Sequence, residues 1–241
     1  MLLAIGGWVQ PTLEVWSTVR RARVAVVMDN QLAPPTVPPT VGGVKWLAFS
    51  PDGKLLATAG LDGDLRIYGV PGYALLVHVS SNASVLAFGP DGRELAVASR
   101  FGTINLYSVP ASYPQLLQNL VKRATLSGGS QLIDSVQFQP DGTLIAAGLD
   151  GDVRFWAMPR GGGNVSLSPD LTLATHGGGI GQVSSSDPLG LLVTAGTSVT
   201  RVWDTDPGTV AAGICQTLKA PVQPALWTQY LPGIPYMPVC R

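Results

Sequence analysis

Apolar residues in this chain come in short runs, many of them alternating with polar neighbours, and the runs are separated by Gly, Pro, Asp and Ser. Alternation with period two puts successive side chains on opposite faces of a strand, and short runs bounded by turn residues read as strands rather than helices. The stretch from Val44 to Tyr68 shows the unit. An apolar strand ends at Phe49, the turn Ser50-Pro51-Asp52-Gly53 follows, then come a strand Leu55-Leu56-Ala57-Thr58-Ala59-Gly60, the turn Leu61-Asp62-Gly63 and a strand Leu65-Arg66-Ile67-Tyr68. In such turns Pro presets φ, Asp caps backbone N–H groups and Gly accepts positive φ, so each strand can reverse into the next. Leu65 and Ile67 alternate with Arg66 and Tyr68, which sets one face inward and the other against a neighbour.

The unit returns three times. Phe88-Gly89-Pro90-Asp91-Gly92 leads to Ile104-Asn105-Leu106-Tyr107, Phe138-Gln139-Pro140-Asp141-Gly142 to Val153-Arg154-Phe155-Trp156, and Ser186-Asp187-Pro188-Leu189-Gly190 to Thr200-Arg201-Val202-Trp203. The closing aromatics recur at roughly 40 to 50 residues, the period of propeller blades built from short strands. A unit of that size cannot bury its own apolar face and must stack on its copies. A fifth, partial copy opens the chain: Leu2-Leu3-Ala4-Ile5-Gly6-Gly7 matches Leu55 to Gly60, and Leu13-Glu14-Val15-Trp16 matches Leu65 to Tyr68. Val15, Val19, Val24, Val26 and Val27 favour strands here over an amphipathic helix across residues 13 to 29.

The expected organisation is a partial first blade at 1–30, a Pro-rich loop at 31–43, four blades at 44–206 and a helical tail at 207–241 docked on the blades. In the tail, Val210, Ile214 and Leu218 form an i, i+4 stripe behind an acidic start and Pro207, which predicts a short helix. Pro224 to Leu231 reads as a second, shorter one, and Trp227, Tyr230 and Tyr236 supply apolar surface for docking.

Composition narrows the function. Apolar residues make up 46% of the chain and charged ones 12%, enough for a buried core. The 15 basic and 15 acidic residues cancel, so no long-range field draws nucleic acid or an anionic membrane, and neither is expected as a partner. The opening run Met1 to Val9 lacks a basic leader and stops at Gln10-Pro11, too short to span a bilayer. Cys215 and Cys240 read as two reduced thiols slightly ahead of a disulfide closing the loop between them.

Candidate chemistry is sparse. Asp52, Asp62, Asp64, Asp91, Asp141, Asp150, Asp152 and Asp187 lie in or beside the repeat turns, where carboxylates cap backbone N–H groups. Glu occurs only at Glu14 and Glu94 and His only at His78 and His176, so no repeated inward acid or base is available; no catalytic residue, metal ligand set or cofactor is expected. Gly177-Gly178-Gly179-Ile180-Gly181 lacks the Lys-Ser/Thr of a phosphate loop, and Gly161-Gly162-Gly163 reads as a flexible connection. Lys122-Arg123 and Arg20-Arg21-Arg23 read as solvated faces.

With its Ser-Pro-Asp-Gly turns, Asp-Gly turns and Arg-x-Trp strands, the chain resembles the WD-repeat β-propeller family over residues 2–206. The resemblance implies an all-β propeller with about five blades visible, the first incomplete, and a short helical C-terminal tail. Trp203-Asp204 keeps the family's blade ending, whereas Trp156-Ala157, Tyr107-Ser108 and Tyr68-Gly69 have drifted. Family blades are often tied by His, Ser/Thr, Asp and Trp; Asp62 and Asp150 match the Asp, Thr58 the Ser/Thr and His176 the His, but no blade holds the full set.

Family partners dock on the loops before the first strand and between the second and third strands of each blade. Mapped onto this chain, that face holds Lys45, Trp46, Arg100 and Phe101 as candidate partner-binding residues, and Trp and Arg are frequent binding hot spots. The competing assignment packs Trp46 between blades and leaves Arg100 solvated. Trp203-Asp204-Thr205-Asp206-Pro207 together with Trp227, Tyr230 and Cys240 is similar to the terminus of bacterial, especially actinobacterial, WD-repeat signalling proteins. That similarity implies a cytoplasmic, non-enzymatic scaffold or sensor with protein partners, belonging with an N-terminal effector module or completed by self-association. The alternative is a propeller enzyme or small-ligand-binding propeller using its central channel.

Overall fold

In the computed structural model, residues 1–7, 12–28, 43–110, 120–127, 129, 132–158, 167–174, 178–186 and 189–218 are described. The strands pair in chain order into five antiparallel sheets. The first holds β1 (Leu2–Gly6), β2 (Thr12–Ser17) and β3 (Ala22–Met28). The second holds β4 (Val44–Phe49), β5 (Leu55–Gly60), β6 (Asp64–Gly69) and β7 (Ala74–Ser80); the third β8 (Ala83–Phe88), β9 (Glu94–Ser99), β10 (Thr103–Ser108) and β11 (Val121–Ser127). The fourth holds β12 (Ile133–Phe138), β13 (Leu144–Gly148), β14 (Asp152–Trp156) and β15 (Leu171–Ala174), and the fifth β16 (Ile180–Ser186), β17 (Leu191–Gly196) and β18 (Thr200–Asp204).

These are propeller blades. The expected repeat supplies three strands of each four-stranded sheet, and the intervening run supplies the fourth. Residues 12 to 28 form two strands with Leu3 opposite Trp16 and Val15 opposite Ala25, so the valines there build a sheet and not a helix. The chain divides into two compact units, residues 1–183 with 195–199, and residues 184–194 with 200–241.

In the second, third and fourth sheets the strands β5, β9 and β13 are apolar at both parities because both their faces are buried. In the third sheet Leu86, Phe88, Leu95, Val97 and Tyr107 face a core shared with Leu55, Ala57, Leu65 and Ile67 of the second. Their alternates Val85, Ala96, Ala98, Ile104 and Leu106 face a core shared with Ile133, Val136, Leu144 and Trp156 of the fourth. A third core joins Leu13 and Val15 of the first sheet to Leu56 and Tyr68 of the second. The innermost strands β4, β8 and β12 pack one against the next.

The turns follow the expected chemistry. Asp52 Oδ1 accepts from the Lys54 N–H at 3.1 Å, Asp91 Oδ1 from Arg93 at 2.9 Å and Asp141 Oδ1 from Thr143 at 2.8 Å. The helix α1 (Pro207–Leu218) starts with Pro at its first position and Asp206 as its cap, accepting from the Thr209 N–H at 2.7 Å and hydroxyl at 2.9 Å. Those bonds hold the Asp206 carboxyl below its ordinary pKa. The expected segment 224–231, Cys240, His176 and Gly161 to Gly163 lie outside the described residues. Among the described residues no helix is long and apolar enough to cross a membrane.

One blade closure is incomplete. Trp203 Nε1 donates to Thr194 Oγ1 at 3.0 Å, but the matching Trp156 is fully buried with its Nε1 unbonded. Ala146 stands in β13 where Thr194 stands in β17. A buried donor without a partner costs on the order of 1–3 kcal/mol. Ala146→Ser is therefore expected to raise the urea unfolding midpoint, with a gain of about 1 kcal/mol; an unchanged or lower midpoint would show that the indole N–H is not what the blade lacks.

Candidate functional site

The loops at one end of the sheets are tied by a repeated backbone bond. The N–H of Leu61 donates to the Gly43 carbonyl at 2.7 Å, that of Arg100 to Asn82 at 3.1 Å and that of Leu149 to Leu132 at 3.0 Å. Each bond links the turn between the second and third strands of a sheet to the residue ahead of its first strand. Neighbouring sheets are joined at the same end, Val44 N–H donating to the Gly7 carbonyl at 2.9 Å and Ala83 N–H to Gly63 at 2.7 Å. This end of the sheets is thus a backbone-braced platform.

The inner strands β4, β8 and β12 then each carry a β-bulge at the second residue. The register shifts between Val44 and Trp46, between Ala83 and Val85, and between Ile133 and Ser135. The skipped residues are Lys45, Ser84 and Asp134. A bulge leaves its extra residue unpaired and re-aims the side chain, and here the three side chains meet. Lys45 Nζ donates to the buried Ser84 Oγ at 2.6 Å and lies 3.5 Å from Asp134 Oδ1. Three sheets are bridged by one lysine.

The turns of the second and fourth sheets share an ionic cluster. Asp62 accepts from the Asp64 N–H at 3.0 Å and pairs with Arg66 at 2.6 Å, and Asp64 Oδ2 reaches Arg66 at 3.4 Å. The fourth sheet repeats this, Arg154 pairing with Asp150 at 2.8 Å and Asp152 at 3.0 Å. Arg66 is 2% exposed, so on the strand face expected to lie against a neighbour it is a caged, buried cation. His78 Nε2 and Ser80 Oγ complete the second sheet's cluster at 2.6 and 2.8 Å from Asp64. Burial raises the Asp64 pKa, but the bonds from His78 and Ser80 and the charge of Arg66 outweigh it and hold the carboxyl below its ordinary value.

The third sheet departs from this at both acids, the arginine and the histidine, keeping a serine alone, Ser127 standing where Ser80 does. Phe101, Thr103 and Asn105 stand where Asp62, Asp64 and Arg66 stand in the second. Ser99 takes over the capping, its Oγ accepting from the Phe101 N–H at 3.1 Å and the Thr103 N–H at 3.2 Å. The second sheet has Gly60 in the place of Ser99, and a Cβ there would run into Asp62 Oδ1. The Gly-to-Ser and Asp-to-Phe differences are therefore coupled: with the carboxylate gone, a side chain fits and can do its work. Phe101 has no structural duty left and is 71% exposed.

Of the four residues expected at this face, Lys45 and Arg100 line one open pocket of about 310 Å³ together with Leu61 and Leu132. The Arg100 guanidinium donates to the Leu61 carbonyl. Phe101 follows Arg100 on the exposed turn. Trp46 is placed differently: it packs against the cores on both sides of the third sheet and lines a separate pocket with Gly6, Val44, Lys45 and Leu47. Leu61, Ser84, Leu132 and Asp134 were not among the expected site residues. Aligning the inner strands by their first apolar residue puts Lys45, Ser84 and Asp134 in one column, which was the available signal. Among the described residues no group of three or more His, Cys, Asp or Glu could hold a metal ion.

The family model described as WD domain, G-beta repeat matches residues 38–69 and 121–157, which contain the second sheet's first three strands and the third sheet's last strand with the fourth sheet's first three. No curated protein matches the chain. Among solved structures, a chain in one titled "Crystal Structure of Mitotic Checkpoint Complex" is similar with a TM-score of 0.67 and 19% identity over 85% of this chain. The match spans 57% of that longer chain, and at this identity the likeness is one of fold.

The depressed Asp64 carboxyl gives the platform a pH dependence. A folded-state value below the unfolded 3.8 contributes stability that is fully present above about pH 4 and lost as pH falls through the folded value. Asp64→Asn is expected to lower the melting temperature near pH 7, the gap to the native chain closing on acidification below pH 4; a gap that stays constant across that range would remove Asp64 from the linkage.

Proposed function

We propose that this chain is a non-enzymatic protein-interaction module, the scaffold or sensor part of a bacterial WD-repeat signalling protein, and that it captures partners on the turn bearing Arg100 and Phe101. The observation that carries this reading is Phe101. It occupies a position that two other sheets devote to pairing with an arginine, and it stands exposed in a sheet that has replaced both acids and the arginine. A large exposed aromatic beside an arginine is the composition of a binding hot spot.

The WD repeats and the likeness to a chain from a multi-protein complex support protein partners. The bacterial setting and a cytoplasmic location rest on the similarity of the tail. Trp46 serves this site from below, as packing under the platform, and Lys45 as the bridge between three inner strands.

The test is affinity capture from an extract of the cells that make the protein, using the native chain and Phe101→Ala. Proteins retained by the native chain are expected to bind the variant about tenfold or more weakly, since a hot-spot truncation costs about 2 kcal/mol. The melting temperature should stay within about 1 °C, because the ring is solvent-exposed and its removal leaves no cavity. Equal retention by both proteins would sink the assignment of Phe101.

A further inference from the structure

The pocket beside Phe101 carries information about what the partner must present. Its lining is two cations, Lys45 and Arg100, and two leucines, Leu61 and Leu132. The cations are not equivalent. Lys45 is offset by Asp134 at 3.5 Å and already donates to Ser84. Arg100 makes no ion pair with a described residue; its recorded partner is a neutral backbone carbonyl, which uses one of the five guanidinium N–H groups and cancels no charge. The pocket therefore holds one net uncompensated positive charge against an apolar wall.

We infer that this pocket receives an acidic side chain flanked by an apolar one from a protein partner, the carboxylate pairing with Arg100 and the apolar group lying on Leu61, Leu132 and Phe101. This rests on the interaction-module reading and adds the chemistry of the occupant. A carboxylate fits for two reasons. A guanidinium binds it through paired N–H groups in a fork that no neutral acceptor matches. A single negative charge also balances the single uncompensated cation, whereas a phosphate dianion would leave one charge unmet, since Lys45 is already committed to Asp134. At about 310 Å³ the cavity is at the small end of ligand pockets, a size for one or two side chains and not for a cofactor.

The experiment is selection of a random, unmodified twelve-residue peptide library on the intact chain. Selected peptides are then measured by fluorescence polarisation against the native protein, Arg100→Gln and Phe101→Ala. Selected sequences are expected to share Asp or Glu next to Leu, Ile, Val or Phe. Changing that acid to its amide, or Arg100 to Gln, should each weaken binding about tenfold, and the two changes together should weaken it little more than either alone, as a direct pair requires. Selected peptides without an acid, or with an acid whose amide binds equally well, would overturn the inference, as would failure to select any sequence. Neutral peptides that lose affinity with Phe101→Ala would leave the interaction module standing while removing the acidic occupant. Peptides indifferent to both substitutions would remove both. A melting curve for Arg100→Gln within about 1 °C of native keeps the comparison one of binding, since a substitution at an exposed turn costs little stability.

Discussion

Burial on both faces of the strands β5, β9 and β13, the second strands of three successive sheets, is the constraint from which the rest follows. A four-stranded sheet of this size has too little interior to stand alone, and in the third sheet each side is a different core: Leu86, Phe88 and Leu95 on one, Val85, Ala96 and Ile104 on the other. These strands must then be apolar at even and odd positions alike, and a slip of one residue would exchange the contents of two cores. The strand interiors are closed to functional variation as a result. What remains free is the set of loops at the strand ends, and the inner strands extend that freedom by one residue through their bulges.

The bulges explain how polar side chains come together in the middle of such a structure. Lys45, Ser84 and Asp134 follow the first residue of their strands, and in an unbroken ladder each would point into a core beside Trp46, Val85 or Ser135. Leaving the ladder removes them from both faces and lets one lysine reach two neighbouring sheets. Because the position belongs to no core, its residue type varies from sheet to sheet, basic, neutral and acidic in turn. The turn positions behave the same way. Asp62 and Asp150 are held to their identity by the arginines they cage, and Phe101 marks the sheet in which that obligation lapsed.

Much of the fold was legible in the residues. Pro-Asp-Gly and Asp-Gly turns marked the hairpins, and the Leu55 to Gly60 pattern was specific enough to find its partial copy at Leu2 to Gly6, because both open on Leu-Leu-Ala and close on Gly. The site was legible only in outline. Arg100 and Phe101 could be placed on the turn, since turn position follows from counting. Alternation set Arg66 against a neighbour but could not show how its charge is met; that depends on two carboxylates folding back over it. Trp46 has the composition of a hot spot, but its position immediately after a bulge turns the indole into the cores. Register shifts of this kind are set by hydrogen bonds between strands, and no local pattern announces them.

Charge completes the account. The chain is neutral overall, yet its acids and bases are spent differently. The described carboxylates are engaged: they cap turns and the helix, as Asp52, Asp91, Asp141, Asp204 and Asp206 do, or cage cations, as Asp62, Asp64, Asp150 and Asp152 do. Glu14, Glu94 and Asp134 pair with Arg23, Arg123 and Lys45, and Asp170 accepts from the Ala157 N–H. Folding thus withdraws the negative charges into local structure and leaves a few arginines and lysines unmatched by a described carboxylate. A field that is zero at long range and positive at a few points cannot steer a partner from a distance. It acts once an acid has come within hydrogen-bonding reach, when a guanidinium backed by two leucines distinguishes a carboxylate from its amide. On the proposed reading, recognition at this face is decided at contact, by the one pocket cation that pairs with no carboxylate among the described residues.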